Sequence, residues 1–462
     1  MMRSMYSAVS GLRNHQTRMD VIGNNIANVN TVGYKKSRVV FKDALYQTMR
    51  GASLATDARG GTNPMSIGLG MAISSIDQIH TPAPATSTNK STDMAIDGSG
   101  YFILSNGGQI CYSRAGNFDF DTLGTLVNTS NGYRVQGWVA DLNGHIDTVK
   151  PTQDIDISAF QTIAPKATQN AAFAGNLDSN LAVPQIDGAP IDPSDGTQHP
   201  GADDAVITSK TVYDSLGNEM ILYFRFFKHE VESGPPPLTD WACDISLEPG
   251  FENMTDYDEG TDFEAVDLAA GDAPSGGTRM LRVYNLQFNE DGAITSPENA
   301  VLQLSVDRSA QGAEDLAVEL DFSALTQYNT QSNARVETQD GYAMGSLLSY
   351  SVGIDGTIQG VYDNGAIMNM ARVALANFQN PSGLQQMGGN LFQQSSNSGD
   401  PVISGPGSKG MGAILPSSLE MSNVDLSEEF TDMIVTQRGF QANSRVITTS
   451  DEMLQELVNL KR

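Results

Sequence analysis

With 462 residues, 54 Asp and Glu against 27 Lys and Arg, and a formal net charge of −27, the chain is too long for one core and too acidic to bind nucleic acid or an anionic membrane. No run of about 18 apolar residues occurs, and the N-terminus alternates polar and apolar residues where a signal peptide would be continuous, so neither membrane insertion nor a cleaved leader is expected. The two cysteines, Cys111 and Cys243, form no CxxC knuckle and no disulfide framework.

In chain order, Met5, Leu12, Met19 and Ile26 recur at intervals of seven, beside a second row of Met2, Val9, Gln16 and Gly23. That is a coiled-coil seam over residues 1–30. The first 50 residues carry eight Lys and Arg against two acids, but these alternate with the stripe, which indicates helix packing and not a nucleic-acid arm. Asn24, Asn25, Asn28 and Asn30 crowd the end of this helix. Their amides suit a helix pressed by other helices, or they simply terminate it; composition leaves both readings open. Gly11 and Gly23 permit close backbone approach, and Gly33 supplies the left-handed residue that ends a helix.

Residues 31–73 and 408–423 contain Gly-, Ser-, Asn- and Pro-rich stretches that flank the helical ends and read as an extended connector. Gly68 and Gly70 within it, and Gly405 and Gly407 just before its second part, are the hinge candidates. Between them the hydrophobic period falls to 2, in runs such as "GYFIL" and "MILYFRFF", and Asp or Asn near Gly marks recurrent hairpin turns. The expected layout is an inner β-domain over 74–164 and 328–407, with an outer acidic β-domain at 165–327 inserted in it. At the far end, residues 424–462, Leu426, Met433, Phe440, Ile447 and Leu454 repeat every seven residues, behind a capping signal of Asp425 and Glu428. Each end has one apolar stripe, to be buried against the other or against further copies, and the ends are expected to order on association.

No chemistry is legible. The five histidines are scattered without HExxH spacing, and the one G-x-G-x-x-G, at Gly405, Gly407 and Gly410, has Pro406 inside it and no preceding strand. No catalytic residue, metal or cofactor is expected.

Longer motifs are specific. "SAVSGLRNHQTRMDVIGNNIANVNTVGYKKSR" resembles the N-terminal signature of the bacterial flagellar rod and hook family, "YSRAGNFDFDTLGTLVN" its shared β-domain, and "SNVDLSEEFTDMIVTQRGFQANSRVITTSDEMLQELVNLKR" its C-terminal signature. The resemblance covers nearly the whole chain, with Asn24, Asn25, Asn28, Asn30, Gly33 and Tyr34 as the motif residues; Tyr34 stands where phenylalanine is common. It implies a mainly β fold with α-helical coiled-coil termini, in a discontinuous multidomain axial subunit that is not an enzyme. Such subunits polymerise with themselves into the flexible hook that carries torque from rod to filament. The implied partners are the distal rod protein, the hook cap and hook–filament junction proteins, and the flagellar type III export apparatus, which needs no signal peptide. The implied location is the extracellular hook and basal body. The long middle favours a hook-type over a distal rod-type member; a secreted oligomeric binding module is the alternative from another class. Some spirochaete members join subunits through a lysine and a cysteine; Lys166 is present, but Gly175 holds the cysteine's place, so that cross-link is not expected.

Overall fold

The computed structural model describes residues 2–52, 54, 59–186, 189–191, 200–201, 204–232, 238–247, 249, 251, 256–260, 266–268, 279–296, 300–306, 308 and 312–460. It is mainly β, with one long helix at each end: α1 (Met2–Ala27) and α2 (Leu426–Asn459). The chain forms two compact units, one of residues 1–160, 349–361 and 367–462, the other of residues 161–348 and 362–366.

In the first unit both helices are formed within a single chain. The sequence left the ends to order on association; here each helix already has the other as a partner, which supplies the tertiary packing that an isolated amphipathic helix lacks. The Asp425 carboxylate starts α2 by accepting the Ser427 and Glu428 N–H groups at 2.8 and 3.3 Å, satisfying donors that the first turn leaves free.

Much of the segment expected as a connector is paired backbone. Ser37–Asp43 runs antiparallel to Met71–Gln78, and Tyr46–Arg50 extends the ribbon against Met65–Gly68. Irregular register at Val40/Phe41 and at Thr48/Arg50 blurs the alternation that would reveal strands in the sequence. A separate sheet is ordered Thr357–Tyr362, Ile367–Val373, Arg134–Val139, Tyr101–Asn106, Gln109–Ser113, Leu391–Gln393, Gln385–Gly388. Tyr101, Tyr112, Trp138, Phe378 and Phe392 fill one face, with Tyr112 and Phe378 edge to face at 4.8 Å.

The second unit packs two sheets on one core. A five-stranded sheet centres on Leu316–Tyr328, with Asn170–Asp178 parallel to it; the other is built on Glu219–Glu232, Leu238–Ser246 and Arg279–Phe288. Phe173, Phe224, Phe226, Trp241 and Phe322 lie between them. The sequence ended this domain at 327, whereas Arg335–Gln339 hydrogen-bonds to Asn170–Asp178 and so belongs to the same sheet. The unit carries 32 acids against eight Lys and Arg. Gly175 has φ +123, and a β-carbon there would lie 2.7 Å from the Asn333 carbonyl oxygen, so a side chain at this position is strained.

The turn signals share one geometry. Asp121, Asp141, Asp214 and Asn289 each accept, through Oδ1, the N–H groups two and four residues on. A left-handed glycine, at 124, 144, 217 or 292, occupies the position between those two donors.

Candidate assembly site

The helices run antiparallel. Gly11 lies against Asn443, His15 against Gly439, Arg18 against Asp432 and Asn25 against Glu429. A β-carbon on Gly11 would sit 2.7 Å from Asn443 Nδ2, and one on Gly439 2.9 Å from the His15 ring, so glycine sets the helix separation at two levels. Arg18 and Asp432 close the pair at 2.8 Å.

The buried face of α1 is therefore Ala8, Gly11, Ile22 and Asn25, and that of α2 includes Glu429, Thr436 and Ser450. Within one chain this face differs from the heptad rows read in the sequence. Met5, Leu12, Met19 and Ile26 are half-buried on its flank, and Met2, Val9, Gln16 and Gly23 are exposed. On α2, Met433, Phe440, Ile447 and Leu454 are half-buried, whereas Leu426 is 40 % exposed. Hydrophobic periodicity picked rows of mostly large apolar side chains; close packing buries the small Ala8, Gly11, Thr436 and Ser450, through which the backbones approach, together with Ile22, Asn25 and Glu429.

Exposed apolar side chains remain on the pair after it has formed: Met2, Tyr6 and Val9 on α1, and Phe430, Ile434 and Val435 on α2. Tyr46, Met49, Met65 and Ile67 are likewise exposed on the ribbon.

The asparagine cluster divides by role. Asn25, 1 % exposed, accepts at Oδ1 from Ser37 N at 3.0 Å and Tyr34 Oη at 3.1 Å, and donates from Nδ2 to Ser37 O at 2.9 Å and Glu429 Oε2 at 3.2 Å. It joins α1, the ribbon and α2. Burial raises the Glu429 carboxyl's pKa against the pull of that amide. Asn28 closes the helix end, donating to the Asn24 carbonyl and side chain and accepting from Thr31 Oγ1. Asn30 is exposed in the turn. Gly33, at φ +68, brings its backbone against Arg114 and Ala115 and donates its N–H to the Glu420 carbonyl at 2.8 Å.

Of the hinge candidates, Gly68 is paired in the ribbon opposite Tyr46. Gly70, at φ +112, is a fixed joint: a β-carbon there would collide with Ser10 Oγ, and the next residue is held by Ser10 and Asn14. Gly405 abuts the Arg372 guanidinium, and Gly407, at φ +72, faces open space.

Sequence reasoning missed a buried cluster where the chain ends meet the sheet. Lys35 Nζ lies 2.6 Å from Glu420 Oε1, Arg114 lies 3.3 Å from Glu420 Oε2, and the three side chains are 0–2 % exposed. Arg114 lies over the Tyr101 ring, whose hydroxyl bonds His80 Nδ1 at 2.8 Å. Burial, reinforced by the Lys35 and Arg114 charges, lowers the His80 pKa to about 4, and burial raises that of Tyr101 to about 12, so both are neutral at physiological pH. Lys35 and Arg114 lie inside the quoted motifs, but nothing local marks Glu420 as their partner.

Among the described residues, no group of three or more His, Cys, Asp or Glu could hold a metal ion, and no helix is long and apolar enough to cross a membrane.

Family models match along the chain: "Flagella basal body rod protein" at 5–35, "Flagellar hook protein FlgE/F/G D1 domain" at 95–191, "Flagellar basal body protein FlaE D2 domain" at 176–342 and "Flagellar basal body rod FlgEFG protein C-terminal" at 415–460. The flagellar hook protein FlgE of Borreliella burgdorferi is 42 % identical over 464 residues, and that of Treponema pallidum 39 % over 481; in each case all of both chains is covered. The flagellar basal-body rod protein FlgG of Bacillus subtilis is 30 % identical over 463 residues, again with all of both chains covered. Paired terminal helices joined to β units, with matches at both ends and through the middle, define the class of flagellar axial proteins. Within that class the chain belongs to the flagellar hook protein family.

Proposed function

We propose that the chain is a structural subunit that polymerises with itself into the flagellar hook, the curved joint between rod and filament. The observation that carries this reading is the apolar surface left on an already formed helix pair. Met2, Tyr6, Val9, Phe430, Ile434 and Val435 stay exposed with α1 and α2 packed on each other. Burying such surface between copies stabilises at about 25 cal/mol per Å², and copies stacked on a common axis bury it repeatedly.

The helix pair then gives torsional continuity. The second unit, with its large excess of acids, repels its neighbours and keeps their contacts polar, wet and sliding. Gly407 remains the hinge candidate. The distal rod protein, the hook cap and the hook–filament junction proteins are the expected partners, reached by type III export without a cleaved signal peptide.

Electron microscopy of the purified full chain and of its Phe430→Glu/Ile434→Glu variant tests the reading. The parent should grow tubes and the variant should not, with unchanged melting of the β units. Tubes of normal length from the variant, or a soluble oligomer of fixed number from the parent, would refute it; the latter would favour an oligomeric binding module.

A further inference from the structure

Both ends of the chain meet at one buried carboxylate on the first unit's β strands, beside the backbone pairing of Ser418–Glu420 with Ala85–Ser87 and the hydrogen bond from Asn390 Nδ2 to the Val32 carbonyl. Lys35 follows α1, Glu420 precedes α2, and Arg114 follows the strand Gln109–Ser113, yet their charges meet at 2.6 and 3.3 Å with side chains at most 2 % exposed. Glu420 Oε1 also accepts the Ala83 N–H at 3.0 Å, and its main-chain carbonyl accepts that of Gly33 at 2.8 Å. The cations' other partners are carbonyls, Thr81 O for Lys35 at 2.8 Å and Gly98 O for Arg114 at 2.8 Å. Without Glu420, two cations would share one dry site with no counter-charge, and an unpaired buried ion is far costlier than a lost surface pair.

The same dependence recurs at the helices. Asn25 is satisfied partly by Ser37 and partly by Glu429, so α1, the start of the ribbon and the first turn of α2 complete one another.

We propose that Glu420 is a positioning residue that couples the two ends of the chain: residues 31–36 and 418–423 seat on the β unit together or not at all. A chain whose C-terminal segment is unseated holds Lys35 and Arg114 uncompensated, so it releases its N-terminal segment as well. The helix pair is thereby delivered only with both strands of the chain in place. The coupling rests on contacts within one chain and does not require polymer formation.

Amide hydrogen exchange on the full-length monomer tests it. In Glu420→Gln, the amides of both α1 and α2 should exchange on the order of a hundredfold faster, while those of Tyr101–Asn106 and Ile367–Val373 keep their parental rates. Because the defect is excess positive charge, Lys35→Met/Glu420→Gln should exchange more slowly in α1 than Glu420→Gln alone, a non-additivity that a mere packing role does not produce. The proposal is overturned if α1 stays protected in Glu420→Gln, if the sheet loses protection equally, or if the double variant is as fast as the single one.

Discussion

Asn25 serves Ser37 as a neighbouring strand would: its side-chain amide takes the Ser37 N–H at 3.0 Å and gives a hydrogen bond to the Ser37 carbonyl at 2.9 Å. The first ribbon residue is thus held to a helix by a side chain that imitates backbone. Asn25→Ala leaves both Ser37 groups and the Tyr34 hydroxyl without this partner, and should cost about 2–4 kcal/mol in denaturant unfolding of the first unit. Asn25→Asp loses the donor and sets a second carboxylate beside Glu429, so its deficit should exceed that of Asn25→Ala at pH 8 and shrink towards pH 4. A deficit independent of pH would show that the two carboxyls do not interact.

Two glycines of α1 should respond in opposite directions. Gly11 faces Asn443, with room for a β-carbon only if that side chain moves, whereas Gly23 has no neighbour within 4 Å. Gly11→Leu should force the helices apart and destabilise the pair by about 1–3 kcal/mol. Gly23→Ala should stabilise the monomer by about 0.5–1 kcal/mol through helix propensity. Thermal unfolding followed by circular dichroism at 222 nm reads both; equal losses would mean that the seam lies elsewhere.

Helix positions, the start of α2 and the β-rich middle were legible because capping, period and turn chemistry are local. The face of each helix was not. Ala8, Gly11, Thr436 and Ser450 carry little hydrophobic signal, yet they are what close approach requires. The buried Lys35–Glu420–Arg114 clasp was not legible either: Lys35 and Glu420 are 385 residues apart, and their meeting depends on how the ribbon folds back. The ribbon itself was concealed because its exposed strands at Tyr46–Arg50 and Met65–Gly68 lack a buried face to impose alternation.

Gly70 separates a joint from a hinge. Its φ of +112, and the Ser10 hydroxyl that an added β-carbon would strike, make Gly70→Ala costly by about 1–3 kcal/mol. Gly407, at φ +72 with open space around it, should accept asparagine, which tolerates the left-handed region, for less than about 1 kcal/mol. Differential scanning calorimetry of the two variants decides: a Gly407→Asn loss as large as that of Gly70→Ala would contradict the open environment. Proline at Gly70 is uninformative about hinging, because a fixed φ near −65° conflicts with this backbone whether or not it moves.

His80 should give the first unit an acid-sensitive stability. Its folded pKa is lowered from 6.5 to about 4, chiefly by burial and further by Lys35 and Arg114. Above pH 6.5 the ring is neutral in both folded and unfolded chains, and it contributes no pH dependence. As pH falls from 6.5 to 4 the unfolded chain gains a proton that the folded chain refuses, so stability declines across that window, by about 3 kcal/mol if the full shift is realised. Below about pH 4 both states are protonated and the slope from this group vanishes. The raised Glu429 carboxyl works in the opposite sense, so the comparison that isolates His80 is the parent against His80→Gln, whose side chain does not titrate. The parent's urea midpoint should fall relative to that of His80→Gln as pH drops from 7 to 4, and the His80 ring resonances should titrate with a midpoint near 4. A midpoint near 6.5, or parallel urea profiles, would mean that the ring is solvated and that the clasp around it is open.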